Sequence, residues 1–270
     1  MDVHERYTHG HHESVLRSHT WRTVENSAAY LIPYLRPGAA VLDVGSGPGT
    51  ITLDIAERVF PAEVVGIDAS PEIVAVATEL ATERGVGNVR FETGDAYRLD
   101  APDDTFDVVH AHQVLQHLSD PVAVLREFRR VTKPGGIVAA RDVDWGGTVW
   151  APPLPGLDEW MRVNQAVQRN NGGEPFAGRR LKAWALEAGF SSVDSSASVW
   201  CFASDEERAW WGESWSVRAT ESDFGRHALE AGIADESSLA EISAAWLAWA
   251  ASPDGWYAMP HGEIVAHVTT

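Results

Sequence analysis

The sequence predicts an α/β fold: a mostly parallel seven-stranded sheet with helices on both faces, carrying helical additions at its start and in its second half. Three observations carry this expectation. Between residues 39 and 143, short apolar runs rich in Val and Ile (AAVLDV, EVVGID, VRFET, FDVVHA, GIVAARDV) alternate with helical stretches at 50–59, 71–84 and 121–131. Strands that alternate with helices build parallel sheets covered on both faces. The first run feeds straight into a glycine-rich turn, GSGPG at 45–49, and of 12 tryptophans only Trp21 precedes residue 145, so the second half is built differently from the first.

In order along the chain, residues 1–36 read as a helical, histidine-rich lead-in that ends at IPYLRPG, where two prolines stop regular structure. The turns SPE at 70–72 and SDP at 119–121 supply helix N-caps followed by proline, and KPGG at 133–136 closes a helix before a strand. Beyond residue 145, helices are expected at 157–170 and 179–188, a strand at 192–203, helices with five tryptophans across 205–250, and a last strand at 257–268. The chain divides into a lead-in or lid (1–36), a ligand-binding core (37–145), a helical cap holding strand six (146–252) and a final sheet strand (253–270), all in one domain.

Composition narrows the function. With 44% hydrophobic and 22% charged residues, 270 residues suffice for a sizeable core. No run approaches the roughly 20 apolar residues of a membrane helix, and the N-terminal MDVHERYTHGHH is too polar for a secretory signal, so a cytoplasmic location is expected. The single cysteine, Cys201, cannot form an internal disulfide, which suits a reducing compartment; it reads as a core residue of a late strand. Twenty-one basic against 39 acidic residues give a formal charge of −18, which repels nucleic-acid backbone and anionic membranes. A small-molecule substrate is expected, with neither nucleic acid nor membrane as partner.

In an open α/β sheet the ligand lies beyond the carboxyl ends of the strands, so the residues ending each strand matter most. Asp43 stands just before the first glycine, where it would repel a pyrophosphate, and the spacing Gly45, Gly47, Gly49 is G-x-G-x-G, with Thr50 where a dinucleotide turn places its third glycine. Asp68, 23 residues after Gly45, suits a carboxylate accepting from two ribose hydroxyls. Asp95 is placed to accept from an exocyclic amine, and Ala69 and Ala96 leave room for a flat ring. A ligand with a cation at one end and adenosine at the other fits these groups, and S-adenosylmethionine is such a ligand.

The segments VLDVGSGPG, GIDAS, GDA, FDVVHAHQVLQHL and LREFRRVTKPGGIVAARD resemble, in order and spacing, the motifs of class I S-adenosylmethionine-dependent methyltransferases, Rossmann-like proteins; the closest look is to the small-molecule branch with the ubiquinone and menaquinone methyltransferases. The resemblance covers about residues 37–145. It implies methyl transfer, with Gly45, Gly47 and Gly49 under the methionine moiety, Asp68 on the ribose, Asp95 and Ala96 at the adenine, and His110, Ala111 and His112 beside the methionine and sulfonium; Ser46 and Ala69 are further cofactor-binding candidates. It also implies that the lead-in, with Tyr7 and Trp21, folds over the cofactor.

For catalysis the first candidate is His112, after strand four, with His117, Asp142 and Tyr7 behind it; Gln113, Arg141, Trp145 and Trp21 are candidate substrate contacts. Alternation along strand five sends Arg141 and Asp142 to opposite faces, so only one is expected to look toward the cleft. The HGHH and HAHQVLQH stretches carry histidines at i and i+2, yet no carboxylate cluster accompanies them at catalytic-metal spacing, and no metal is expected. The late tryptophans read first as the core of the cap helices, with an aromatic-lined substrate pocket as the other reading. Two rival functions stay open at this point: an NAD-dependent dehydrogenase, which the glycine spacing and Asp43 disfavour, and an S-adenosylmethionine-binding protein that transfers no methyl group.

Overall fold

The computed structural model describes residues 21–269; Tyr7, the histidines at 9–12 and 19, and most of the lead-in lie outside the described residues. Five parallel strands, β1 (Val41–Val44), β2 (Val64–Asp68), β3 (Val89–Thr93), β4 (Phe106–His112) and β5 (Thr132–Val143), stand side by side in the order β3-β2-β1-β4-β5. The next position is filled by the last strand of the chain, β8 (Trp256–His267), antiparallel to β5. Outside β8 runs β7 (Ser192–Phe202), antiparallel to it along its whole length.

An eighth strand, β6 (Val149–Ala151), pairs with β8 at Trp256–Ala258, taking over the β5 side of β8 after β5 ends. Among the described residues eight strands therefore fill seven sheet positions. At three residues β6 is too short to show an alternation of its own, which is why the sequence reading passes over it.

The helices of the first half begin and end at the bounds their caps set. Helices α1 (Val24–Ser27), α2 (Thr50–Val59), α3 (Pro71–Arg84) and α4 (Pro121–Val131) precede or connect the parallel strands. Ser70 and Asp120 accept from the backbone N–H of Ile73 and Ala123, each with proline at the first helical position, and Gly85 ends α3 in the left-handed conformation. KPGG is not a simple helix stop. It lies inside β5, where pairing jumps from Phe106↔Thr132 to Val108↔Ile137, so these four residues bulge out of the ladder. Pro134 has no N–H to give a ladder and Gly135 takes φ +82°, so the bulge falls where the backbone needs it.

The second half adds α5 (Pro155–Asn170), α6 (Ala177–Glu187), α7 (Asp205–Glu221), α8 (Asp223–Glu230) and α9 (Glu236–Ala251). One buried cluster joins the sheet to α4 and α6; a second joins its other face to α1 and α2. A third gathers Trp145, Trp160, Trp200, Trp211, Trp215, Trp246 and Trp249 between α5, α7, α9 and the far ends of β7 and β8. Trp160 sits at its centre, with Trp215 and Trp246 each at 4.8 Å and close to perpendicular, the edge-to-face geometry that aromatic quadrupoles favour. Cys201 departs from its expected place: on β7 the buried residues are Trp200 and Phe202, so alternation turns Cys201 outward to solvent.

Candidate active site

A cavity of about 880 Å³ opens beyond the carboxyl ends of β1, β2 and β4 and runs under the tryptophan cluster. Its first end is the glycine turn. Gly45 takes φ +68°, and a Cβ there would collide with Val114 Cγ2, so only glycine lets the chain pass and keeps the floor open. Asp43, Gly45, Ser46, Gly47, Asp68, Ala69, Asp95 and Ala96 all line this end. Gly49 does not. It takes φ +87° as the N-cap of α2, with its α-carbon against the ring of Phe91, so its role is packing of helix on sheet.

The three carboxylates are held by the turns around them. Asp68 accepts from the N–H of Gly47 through Oδ2 and of Ser70 through Oδ1, both at 3.0 Å, which aims the carboxylate and leaves lone pairs over for a diol. Asp95 accepts from the N–H of Tyr97 at 2.9 Å. Asp43, buried, accepts from Thr52 Oγ1 at 2.5 Å and from His110 Nδ1 at 2.7 Å. A carboxylate only accepts, so His110 carries its proton on Nδ1.

His112, Gln113, Gln116 and His117 line the middle of the cavity. Gln113 takes φ +56°, a left-handed conformation uncommon outside glycine and a strain concentrated at functional sites. Both ends of its amide are engaged: Oε1 accepts from Arg22 Nη2 and Nε2 donates to His261 Nε2, each at 2.8 Å, while His261 Nδ1 donates to the carbonyl of Met259 at 3.1 Å. This relay ties the chain at Arg22 to β8 across the cavity and fixes the His261 tautomer.

His112 is buried between Trp200 and His261, with ring centroids at 5.8 and 6.5 Å, and neither ring nitrogen has a hydrogen-bond partner among the described residues. Burial, reinforced by Arg22, Arg141 and His261, pushes its pKa well below the usual histidine value, so the ring is neutral at pH 7. Burial and Arg22 bring His117 down to about 4.

Besides Gly49, four candidates among the described residues fall outside the cavity. His110 is turned onto Asp43, and Ala111, one residue on, points to the opposite face and packs in the core with α4. Arg141 and Asp142 are both fully buried, and neither faces the cleft. Register sets Arg141 opposite Glu263 of β8, which takes its Nε at 3.3 Å alongside Ser198 Oγ at 3.1 Å, and the guanidinium lies 4.8 Å from the Trp200 ring. Asp142 accepts from the N–H of Gln116, and burial pushes its carboxyl up to about 8. These two residues support the cavity wall from behind.

Trp21 and Trp145 line the cavity together with residues that the sequence reading did not single out: Arg22, Gln116, Trp200, Trp211, Trp215 and Arg218. Trp211, Trp215 and Arg218 are spaced i, i+4, i+7 on α7, so one face of that helix looks into the cavity. That spacing was the available signal. Among the described residues no three His, Cys, Asp or Glu side chains come together as a metal site, and no helix is long and apolar enough to cross a membrane.

The buried groups make stability depend on pH. For His117, and likewise for His112 and His261, the folded pKa lies below the usual 6.5, so the unfolded chain binds protons first and stability is lost as pH falls below about 6.5. Asp142 acts oppositely: its pKa rises from 3.8 to about 8, so its contribution is lost as pH climbs toward 8. Three histidines outweigh one carboxyl below pH 6.5, and above it the carboxyl acts alone. Thermal melts across pH 4.5–8.5 are expected to peak near 6.5; a midpoint still rising between pH 7 and 8 would contradict the burial of Asp142.

Fold and site together describe an α/β protein whose cavity has a glycine turn with three carboxylates at one end and tryptophan rings at the other. Residues 35–200 match the family model of a methyltransferase domain. An uncharacterized methyltransferase of Schizosaccharomyces pombe is 37% identical over 269 residues, spanning 96% of this chain and 95% of the relative. Among solved structures, YcgJ of Bacillus subtilis shares the fold with a TM-score of 0.60 at 23% identity, covering 91% of this chain and 100% of that one. A phosphoethanolamine N-methyltransferase of Haemonchus contortus, solved with S-adenosylhomocysteine, has a TM-score of 0.55 at 18% identity, covering 89% and 52% of the two chains. The chain belongs to the class I S-adenosylmethionine-dependent methyltransferases. Its cofactor is S-adenosylmethionine, which removes the dehydrogenase alternative.

Proposed function

We propose that this enzyme methylates a small aromatic or apolar metabolite in the cytoplasm, with the acceptor bound between His112 and the tryptophan-lined end of the cavity. The observation that carries this reading is the continuity of the cavity: one space joins the glycine turn to Trp145, Trp200, Trp211 and Trp215. At about 880 Å³ it is near the upper size of small-molecule pockets, room for a cofactor and a flat acceptor side by side.

The residues present fit S-adenosylmethionine. Gly45 and Gly47 leave a floor without side chains, the buried Ser46 Oγ has no partner among the described residues, and Asp68 and Asp95 keep acceptor capacity for a ribose diol and an adenine amine. Bound there, the cofactor supplies an electrophilic methyl group on a sulfonium. The chain's own part is to orient the acceptor and manage its proton. Indole rings exclude water and stack on a flat substrate, which holds the nucleophile in line for attack. Neutral His112, whose ring nitrogens have no hydrogen-bond partner among the described residues, would take the proton that the acceptor gives up. His117, joined to Gln116 at 3.0 Å, stands beside it as an orienting donor.

The test is label transfer. Protein incubated with methyl-labelled S-adenosylmethionine and a panel of phenols, aromatic acids, amines, DNA, RNA and peptides is expected to label small aromatic compounds. Label found only in nucleic acid or peptide would overturn the proposal.

A further inference from the structure

Three consecutive residues tie one corner of the cavity together. The N–H of Gly173 donates to the carbonyl of Gln168 at 2.9 Å, the N–H of Glu174 to the carbonyl of Gln116 at 2.8 Å, and the carbonyl of Pro175 accepts from the N–H of Trp145 at 3.0 Å. Of these, Gln116 and Trp145 line the cavity. Gln168 belongs to α5, and about two turns before it Trp160 packs edge-on to the Trp145 ring at 5.7 Å. The stretch of α5 from Trp160 to Gln168 is therefore held beside Trp145 at both ends, and Asn164, midway, shares the face of both. Gln116, Trp145, Asn164 and Gln168 are all buried. Yet Gln116 Oε1, Trp145 Nε1, and both the oxygen and the nitrogen of the Asn164 and Gln168 amides have no hydrogen-bond partner among the described residues.

Buried polar atoms left unmet in one corner destabilise the empty protein, and such groups are retained where a ligand completes them. We propose that this corner is the polar subsite for the methyl acceptor and takes a neutral group with donor and acceptor side by side, the N–H and C=O of a lactam or carboxamide on a flat ring. The proposal rests on the small-aromatic reading of the acceptor and adds the chemistry of one edge. Gln116 and Trp145 front the subsite on the cavity, and Asn164 and Gln168 form its back. The inventory of unmet groups decides the class. Trp145 offers an N–H, and Gln116, whose Nε2 is engaged with His117 at 3.0 Å, offers a carbonyl oxygen, while Asn164 and Gln168 each offer both kinds. Donor and acceptor groups are thus balanced, and none of the four side chains carries a charge. A carboxylate only accepts and would set its oxygens against the three amide oxygens; an ammonium only donates and would leave the three nitrogens unmet. An amide edge serves both kinds at once.

The test uses the full chain saturated with S-adenosylhomocysteine and two matched pairs of flat probes: 2-naphthamide with 2-naphthoate, and 2-quinolone with coumarin, which has a ring oxygen in place of the N–H. Calorimetry reads their affinities. The wild type is expected to bind at least one amide about 10-fold or more tighter than its partner, and neither amide more weakly. Asn164→Leu and Gln168→Met keep the shape of the side chain without its polar atoms. Each is expected to cut that ratio to about threefold or less while S-adenosylhomocysteine affinity stays within about twofold. Melting of the unliganded variants separates an amide kept for a ligand from one the fold itself uses: loss of an unmet polar group is expected to raise the midpoint by roughly 2 °C or more, and loss of a hydrogen bond within the fold to lower it. The absence of a preference in both pairs, tighter binding of the acid, an amide preference that survives in both variants, or a lower midpoint in both overturns the polar subsite and leaves the aromatic reading standing. Failure of all four probes to bind contradicts both.

Discussion

His112→Ala is expected to lower turnover by about 100-fold or more while cofactor affinity stays nearly intact, because general acid–base groups contribute typically 10²–10⁴-fold to rate. The expectation rests on three features found together in no other described residue of the cavity. His112 is buried, it is neutral, and both its ring nitrogens are without hydrogen-bond partners among the described residues. Leaving a buried polar atom unpaired costs roughly 1 to 3 kcal/mol, so such a group is retained where a ligand completes it. Steady-state kinetics on the acceptor and calorimetry with S-adenosylhomocysteine separate a chemical from a structural role. Loss of kcat at constant cofactor affinity and unchanged melting temperature supports proton transfer. Full turnover in the variant would assign the site to an acceptor that needs no base, such as an electron-rich carbon.

Asp68→Ala is expected to weaken S-adenosylhomocysteine binding by roughly 2 to 3 kcal/mol, about 30- to 150-fold, since hydrogen bonds to a charged acceptor are the stronger kind. Part of the loss comes from the cradle: Asp68 also holds the N–H of Gly47 and of Ser70, so its removal loosens the glycine turn that forms the floor. Asp68→Asn keeps one acceptor oxygen and is expected to fall between the two. Unchanged affinity in both variants would move the ribose elsewhere, and NAD binding by the wild type would contradict the reading of the glycine turn.

The sheet core was legible because each of its signals is local. The span 71–84 is fixed by Ser70 and Pro71 at one end and Gly85 at the other, within a single stretch of chain. Asp68 ends β2 and Asp95 follows β3 by two residues, so strand position alone puts both at the cavity that they line. The far end of the cavity was not legible, because it is assembled from Arg22, Gln116, Trp200 and Arg218, residues spread over 196 positions that only the closed fold brings together. The same reason undid Arg141: nothing near it in sequence announces Glu263, 122 residues on, whose carboxylate draws it into the wall. His110 was misplaced by one principle outweighing another. Strand position pointed it at the ligand, and the neighbouring Asp43 took its ring instead. With the tryptophans the two readings merge, since Trp160, Trp246 and Trp249 are core while Trp145, Trp211 and Trp215 are core on one side and cavity wall on the other.

A crystal structure of the complex with S-adenosylhomocysteine tests the central claim most directly, that one cavity seats the cofactor on the glycine turn and the acceptor beneath the tryptophans. The expected result has both ribose hydroxyls within hydrogen-bond distance of Asp68, the adenine amine at Asp95, and the sulfur facing the open space before His112, with room for a flat ring between it and Trp145. A nucleoside lying along the tryptophan wall, or a sulfur turned away from His112 with no space before it, would contradict the account.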